Sequence, residues 1–321
     1  MRTATKIWLI IAAFLVVIGL IMLATAMTEY RWDFTKLNTV KYQTNTYEIS
    51  EKIRNISLVT DTANVTLIHS DDEMGKVICY EEENSKHSVE TTNDTLSIEI
   101  ADTKKWYQHI GINFGTPEIK IYIPRGEYGK LSIKSSTGDV EIPKDFMFDS
   151  IDICGSTGNV KNYASASKLI KIKTSTGDIY VENISAGAID LSVSTGKVSI
   201  SDVNCQGEFS VKVSTGKTYM TDVVCKNLTS RGNTGDLFLT KVTAEEKFFI
   251  ERSTGDVNFN KCDVGEIFVK TDTGDVGGTL LSDKVFIAKT DTGDVELPKT
   301  ISGGKCEINT NTGDIKISIQ K

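Results

Sequence analysis

A Ser-Thr-Gly-Asp-Val-like pentapeptide recurs ten times along this chain. Its glycines are Gly138, Gly158, Gly177, Gly196, Gly216, Gly235, Gly255, Gly274, Gly293 and Gly313, spaced 19 or 20 residues apart. A fixed short period means that one small structural unit stacks on copies of itself. Threonine precedes the glycine in all ten copies, and Asp or Asn follows it in eight. Glycine supplies a positive φ without steric cost. The Asp or Asn side chain can satisfy nearby backbone N–H groups.

The residues around each glycine alternate. Apolar residues stand seven and five before it, as in Leu131 and Ile133 or Ile170 and Ile172. They return two and four after it, as in Val140 and Ile142 or Ile179 and Val181, and again seven after it at Ile184, Val203 and Val223. A spacing of two is strand periodicity with one face inward. Each unit therefore predicts a strand, a tight turn, a strand and a looser return. No helical pattern intervenes, which excludes leucine-rich and βαβ repeats. The predicted fold is an all-β, single-stranded β-solenoid of about ten coils. One coil cannot bury its apolar face alone, but stacked coils share a continuous core.

The N-terminus differs. Residues 7–27 are apolar and carry no charge, which at 1.5 Å per residue is roughly the thickness of a bilayer core. Arg2 and Lys6 precede this run, so the N-terminus is expected in the cytoplasm and the C-terminal part outside. A cleaved signal peptide is the alternative, because Ala24-Thr25-Ala26 resembles a cleavage site. Both readings export residues 30–321. The expected organisation is a transmembrane anchor at 1–28, a juxtamembrane linker at 29–46, an irregular β cap at 47–130 and the repeats at 131–321. Thr62-Ala63-Asn64-Val65 reads as a degenerate repeat turn within the cap. At the far end the strand Ile315 to Ile319 is expected to form a bare edge, guarded only by Lys316 and Lys321.

The anchor, the stretch from Lys41 to Ile49 and the Ser-Thr-Gly-Asp-Val units together resemble a bacterial family of unknown function. That family is described as proposed adhesins with β-strand repeats, and it includes envelope-stress-associated proteins of Gram-positive bacteria. The resemblance covers nearly the whole chain. It implies a membrane-anchored β-solenoid at the cell surface and carries no catalytic residues over.

The net charge of −7 argues against nucleic acid as a partner. Three histidines and no GxSxG, P-loop, HExxH or CxxC motif leave catalysis and a zinc site unsupported, and no cofactor is implied. Cys205 and Cys225 occupy the same place in successive repeats. They fit either a disulfide between coils or two small residues stacked in the core.

Four surface features remain. Asp256, Asp275, Asp294 and Asp314 follow their glycines in successive repeats, with Asp236 before them. They are either solvated turn caps or, with a cation such as Ca²⁺ between coils, a metal ridge. Lys134, Lys173, Lys212, Arg231, Lys270 and Lys289, each four before a glycine, form a basic outer line that suits anionic wall polymers or lipid head groups, or pairs with neighbouring acids. The segment holding Trp106, Tyr107, His109 and Phe114 is the candidate partner-binding loop, facing an envelope protein or a cell-wall glycan, or else folded over the cap. Thr-x-Thr pairs such as Thr271/Thr273 suggest an ice-binding ladder, but the same register drifts to Val193, Val213 and Arg252. The function expected from sequence is a non-enzymatic surface interaction or envelope-stress-signalling module. The alternatives are a rigid spacer that assembles edge to edge through its C-terminal coil, and a cation- or glycan-binding protein that uses the Asp ridge.

Overall fold

The computed structural model describes residues 3–29, 31–33, 40–70, 72, 74–102 and 115–320. Among the described residues, one helix, Thr3–Glu29, precedes 23 strands that join into a single sheet. The fold is an all-β solenoid. Strands before the turn glycine pair in parallel from coil to coil, through Leu131, Ile151, Ile170, Ile189, Phe209, Leu228, Phe248 and Ile267. Strands after it do the same through Val140, Val160, Ile179, Val198, Thr218, Leu237, Val257 and Val276. These residues face inward, and one apolar core runs unbroken from Ile49 to Ile317.

The central coils bend at three places. The first is the Thr-Gly-Asp turn, whose ten glycines have φ between +128° and +152°. A Cβ on Gly235 would overlap the carbonyl oxygen of Gly216 in the neighbouring coil. The second bend lies six residues after the glycine, where Asn183, Asp202, Asp222, Lys241 and Lys261 adopt φ of +50° to +55°. The third is a bulged stretch, seen as register shifts between Cys225 and Asn227 and between Ala244 and Lys247. Cys205 and Cys225 are buried free thiols. Cys225 pairs with Ala244, and Cys205 with Ala186, in one column of small core residues.

The N-terminal region adds a further level and closes that end. The Ala63 turn stacks under Gly138, and Asn55–Thr60 and Asn64–His69 continue the two parallel series. Two antiparallel additions then cap the edge. Ser85–Thr92 pairs with Thr95–Asp102, and Tyr42–Ile49 pairs with Gly75–Glu82. Tyr42–Ile49 thus begins inside the stretch read from sequence as a linker.

The other end corrects the sequence-based expectation of a bare strand at Ile315 to Ile319. The tenth coil does not lie last. Gly304–Thr312 sits between the eighth-coil part of Val257–Thr273, from Ile267 on, and Lys284–Thr292 of the ninth coil. Ile315–Ile319 likewise lies against Val276–Leu280 on one side and Val295–Glu296 on the other. The chain climbs two levels after Leu281, forms the ninth coil and returns to fill the gap. Gly303 and Gly304 permit this return, because a Cβ on either would overlap the carbonyl of Asp283 or of Gly265. The ninth coil suits the end position. Pro298 follows Val295–Glu296, and a residue without an N–H is tolerated where the edge is unpaired. The tenth coil has the full inward set Cys306, Ile308, Ile315 and Ile317, all buried.

Candidate functional site

The acidic column is a hydrogen-bonded ladder. Asp236 Oδ1 accepts the backbone N–H of Asp256, Asp256 Oδ1 that of Asp275, Asp275 Oδ1 that of Asp314, and Asp314 Oδ1 that of Asp294, at 2.8–3.2 Å. The same ladder runs at the other end from Asn64 through Asp139, Asn159 and Asp178 to Lys197. Each side chain caps the next turn, which is the role that Asp and Asn play in turns generally. Lys217 bridges the break with an ion pair to Asp236 at 3.0 Å.

The basic line lies on the outer face of the strands before the turns. Register interrupts it with Cys154 between Lys134 and Lys173, Ser192 between Lys173 and Lys212, and Glu251 between Arg231 and Lys270. Lys289 lies on the terminal coil beside Asn309. Arg231 pairs with Glu251 at 2.8 Å and stacks over Phe249. Two shallow depressions open along this face, one around Lys171, Lys173 and Lys212, the other around Lys212, Arg231 and Lys270.

A third cluster was not visible in the sequence. Cys79 and Glu81 point inward from one strand, His87 points inward from the next, and their donor atoms lie within 4.8 Å of one another. All three are buried. Glu81 Oε2 accepts from His87 Nδ1 at 2.6 Å and from the His87 backbone N–H at 2.7 Å, and Glu81 Oε1 accepts from Asn45. His87 Nε2 lies 3.1 Å from Thr60 Oγ1. Burial pushes the Glu81 carboxyl up, but the hydrogen bonds from His87 and Asn45 outweigh it and hold the group below its ordinary value. Burial, with the Glu81 charge beside it, pushes the Cys79 thiol up to about 12, so it stays protonated and unreactive at neutral pH. These residues could hold a metal ion only by giving up the Glu81–His87 bonds. The signal that could have found them is a charged residue, Glu81, in inward register after Val77 and Cys79.

Trp106, Tyr107, His109 and Phe114 lie outside the described residues.

The family profile described as Toastrack DUF4097 matches residues 53–216 and 202–321. The chain belongs to the Toastrack family. Among solved structures, the Toastrack chain is similar to a proposed lipid-binding protein from Parabacteroides distasonis, at 15% identity and a TM-score of 0.52, with 88% of this chain and 98% of that one covered. It is also similar to a proposed adhesin from Bacteroides fragilis, at 16% identity and a TM-score of 0.44, covering 87% and 97%. At 15% identity the likeness to the Parabacteroides distasonis protein is one of fold. No curated protein matches the chain. Within the Toastrack fold, the repeated turn residues go to architecture. Glu81 in the cap and Arg252 in the repeats are, by contrast, charged residues at buried positions.

Proposed function

We propose that this protein is a non-enzymatic, membrane-anchored surface module whose rigid β-solenoid stands outside the cytoplasm and binds partners reversibly. The observation that carries this reading is the helix. Thr5–Glu29 reaches a mean hydropathy of 3.0 in its most apolar window, and no part of that window is buried in the rest of the protein. Trp8, Ile10, Phe14 and Met22 on it are largely exposed. Apolar surface of that length matches the interior of a bilayer. Arg2 and Lys6, which precede the uncharged run of residues 7–27, favour a cytoplasmic N-terminus. Adhesion and envelope-stress sensing would both use such a surface, with an envelope protein or a cell-wall glycan as the partner, and the segment from Trp106 to Phe114 is the proposed contact.

Cys154 gives a direct test of orientation. It is the only exposed cysteine of the six. A membrane-impermeant maleimide should label intact cells at Cys154 and fail to label Cys154→Ser. Labelling that appears only after lysis overturns the orientation. Changing Trp106, Tyr107 and Phe114 to Ala should then lower binding to isolated envelopes. Unchanged binding removes that segment from the proposal.

A second reading, a spacer that self-associates, is favoured by the terminal coil. Among the described residues, Lys284–Thr292 pairs only on its inner side, with Gly304–Thr312. Val285, Ile287, Val295 and Ile301 around it are exposed. The associating edge is thus the ninth coil. Sedimentation of the full chain in detergent should show concentration-dependent dimers that Ile287→Lys abolishes. Monomers at all concentrations count against this reading.

A further inference from the structure

Lysines on several outer faces of the repeats find acids. Lys130, Lys161, Lys217 and Lys241 each meet a carboxylate at 3.0–3.7 Å. The basic line before the turns differs. Lys134, Lys173, Lys212 and Lys270 are exposed and make no ion pair among the described residues. Strand alternation puts all four on the outer face, because Ile133, Ile172, Val211 and Val269 beside them point into the core.

Register sets the spacing of this line. Lys134, Lys173 and Lys212 are each 39 residues apart, which is two coils, with only Cys154 and Ser192 between them in the column. Arg231 follows Lys212 directly. At about 4.8 Å per strand the three lysines stand about 10 Å apart along the solenoid axis. The column holds no acid from Lys134 to Arg231. The first is Glu251, which Arg231 engages at 2.8 Å. Short side chains make part of this column a trough. Ser192, Ser210 and Thr229 line a depression of about 290 Å³ together with Lys171, Lys173, Lys212 and Arg231, and Asp190 is its one acid. Three cations without an ion-pair partner thus face a single carboxylate. The row is one residue wide, and that selects the shape of its ligand. The neighbouring column carries Asp152 and Asp190, the register partners of Lys171. An anionic bilayer laid on this face would meet those acids as well as the lysines, whereas a linear chain can follow the trough.

We propose that the outer column from Lys134 to Arg231 binds a linear polyanion, an envelope polymer that carries phosphate or carboxylate groups along its length. Lys134, Lys173 and Lys212 attract its charges at regular intervals, and Ser192 and Ser210 let the chain lie close to the sheet. The proposal rests on the surface-binding reading and adds the ligand chemistry to it. The orientation test on cells is read out separately, so either can fail alone.

The test uses the full chain in detergent at low ionic strength, with labelled polyglucuronate, poly(glycerol phosphate) and neutral dextran. Fluorescence anisotropy should show saturable binding of at least one polyanion, weakened by added salt, and none of dextran. Which polyanion binds tells carboxylate from phosphate as the partner charge. Cys154, exposed between Lys134 and Lys173, reports the place of binding, and bound polymer should slow its reaction with maleimide. Lys173→Ala combined with Lys212→Ala should weaken binding about tenfold. Ser192→Glu keeps both lysines and should weaken it similarly by setting an acid between them. Lys161→Ala combined with Lys241→Ala changes the net charge equally and should stay within about twofold of the unaltered chain. The proposal is overturned if neither polyanion binds, if the two double variants lose affinity alike, or if Cys154 reacts as fast in saturating polymer as without it. Binding to phosphatidylglycerol vesicles but to neither polymer would overturn it in favour of a membrane-facing role.

Discussion

Asp275 Oδ1 accepts the backbone N–H of Asp314 at 2.8 Å, across 39 residues of chain. Between the other repeat turns, each step in that column joins residues 19 or 20 apart. The long step is the mark of a coil laid down out of order. Asp314 bonds in turn to the N–H of Asp294, so the tenth coil is held on both sides. The C-terminal segment is interior structure, and the segment before it forms the open end.

Substitutions in the two coils should therefore behave in opposite ways. Ile308 is fully buried between Val269 and Ala288. Ile308→Ala should cost about 2–5 kcal/mol in chemical denaturation, as expected of a large-to-small change in a closed core. Ile287, half-exposed on the end coil, should tolerate Ser within about 0.5 kcal/mol. If Ile308→Ala proves as mild as Ile287→Ser, the tenth coil is the free end after all.

The Asp column makes a second prediction. Oδ1 of Asp236, Asp256, Asp275 and Asp314 already serves a backbone N–H, so removing one of these acceptors should act on stability rather than on metal affinity. Asp275→Ala should destabilise by about 1 kcal/mol, the usual value for a lost cap. Asp275→Asn, which keeps the acceptor, should cost much less. Millimolar Ca²⁺ should shift the melting temperature of neither variant relative to the unaltered chain. A rise in Tm with Ca²⁺ that Asp275→Ala abolishes would establish the ridge as a metal site.

The turn glycines allow a third measurement. Gly235 has φ +128° and faces the Gly216 carbonyl. Gly235→Ala meets both backbone strain and a backbone overlap, and should cost about 2 kcal/mol or more. Gly265, which lacks the positive φ of the turn column, does not test the same requirement. Should Gly235→Ala denature at the same urea concentration as the parent, the turn geometry is not what selects glycine.

Much of this fold could be read from the pentapeptide, because inward alternation and turn chemistry are local properties. The Thr62-Ala63-Asn64 turn was legible for the same reason, and its Asn64 starts the ladder at Asp139. The order of the last coils was not legible. The ninth and tenth repeats carry the same inward pattern, and parallel register cannot tell which neighbour a coil will choose. The left-handed corners at Asn183, Asp202 and Asp222 left a readable trace in their Asn and Asp side chains, but Lys241 and Lys261 hold the same conformation and hide it. The buried cluster escaped because Cys79, Glu81 and His87 share no spacing motif. A hairpin between two faces of the cap brings them together.

That cluster sets the pH response of the cap. Glu81 is ionised at neutral pH, and hydrogen bonds from His87 and Asn45 hold its folded pKa below the ordinary 4.5 despite burial. A carboxylate lowered on folding contributes stability that is complete above its unfolded value. The contribution drains away as pH falls from that value through the folded one. The unaltered protein should thus lose stability progressively below about pH 4.5. Glu81→Gln keeps the shape and removes the charge. At pH 7 it should be less stable by about 1.5–3 kcal/mol, the range for hydrogen bonds to a charged group. The gap between the two proteins should close as the pH falls through the acid range, because the protonated carboxyl and the substituted amide are then both uncharged. Denaturant midpoints measured from pH 7 down to about pH 3 should trace that convergence. A constant gap across the series would mean that packing around this side chain, rather than its charge, supports the cap.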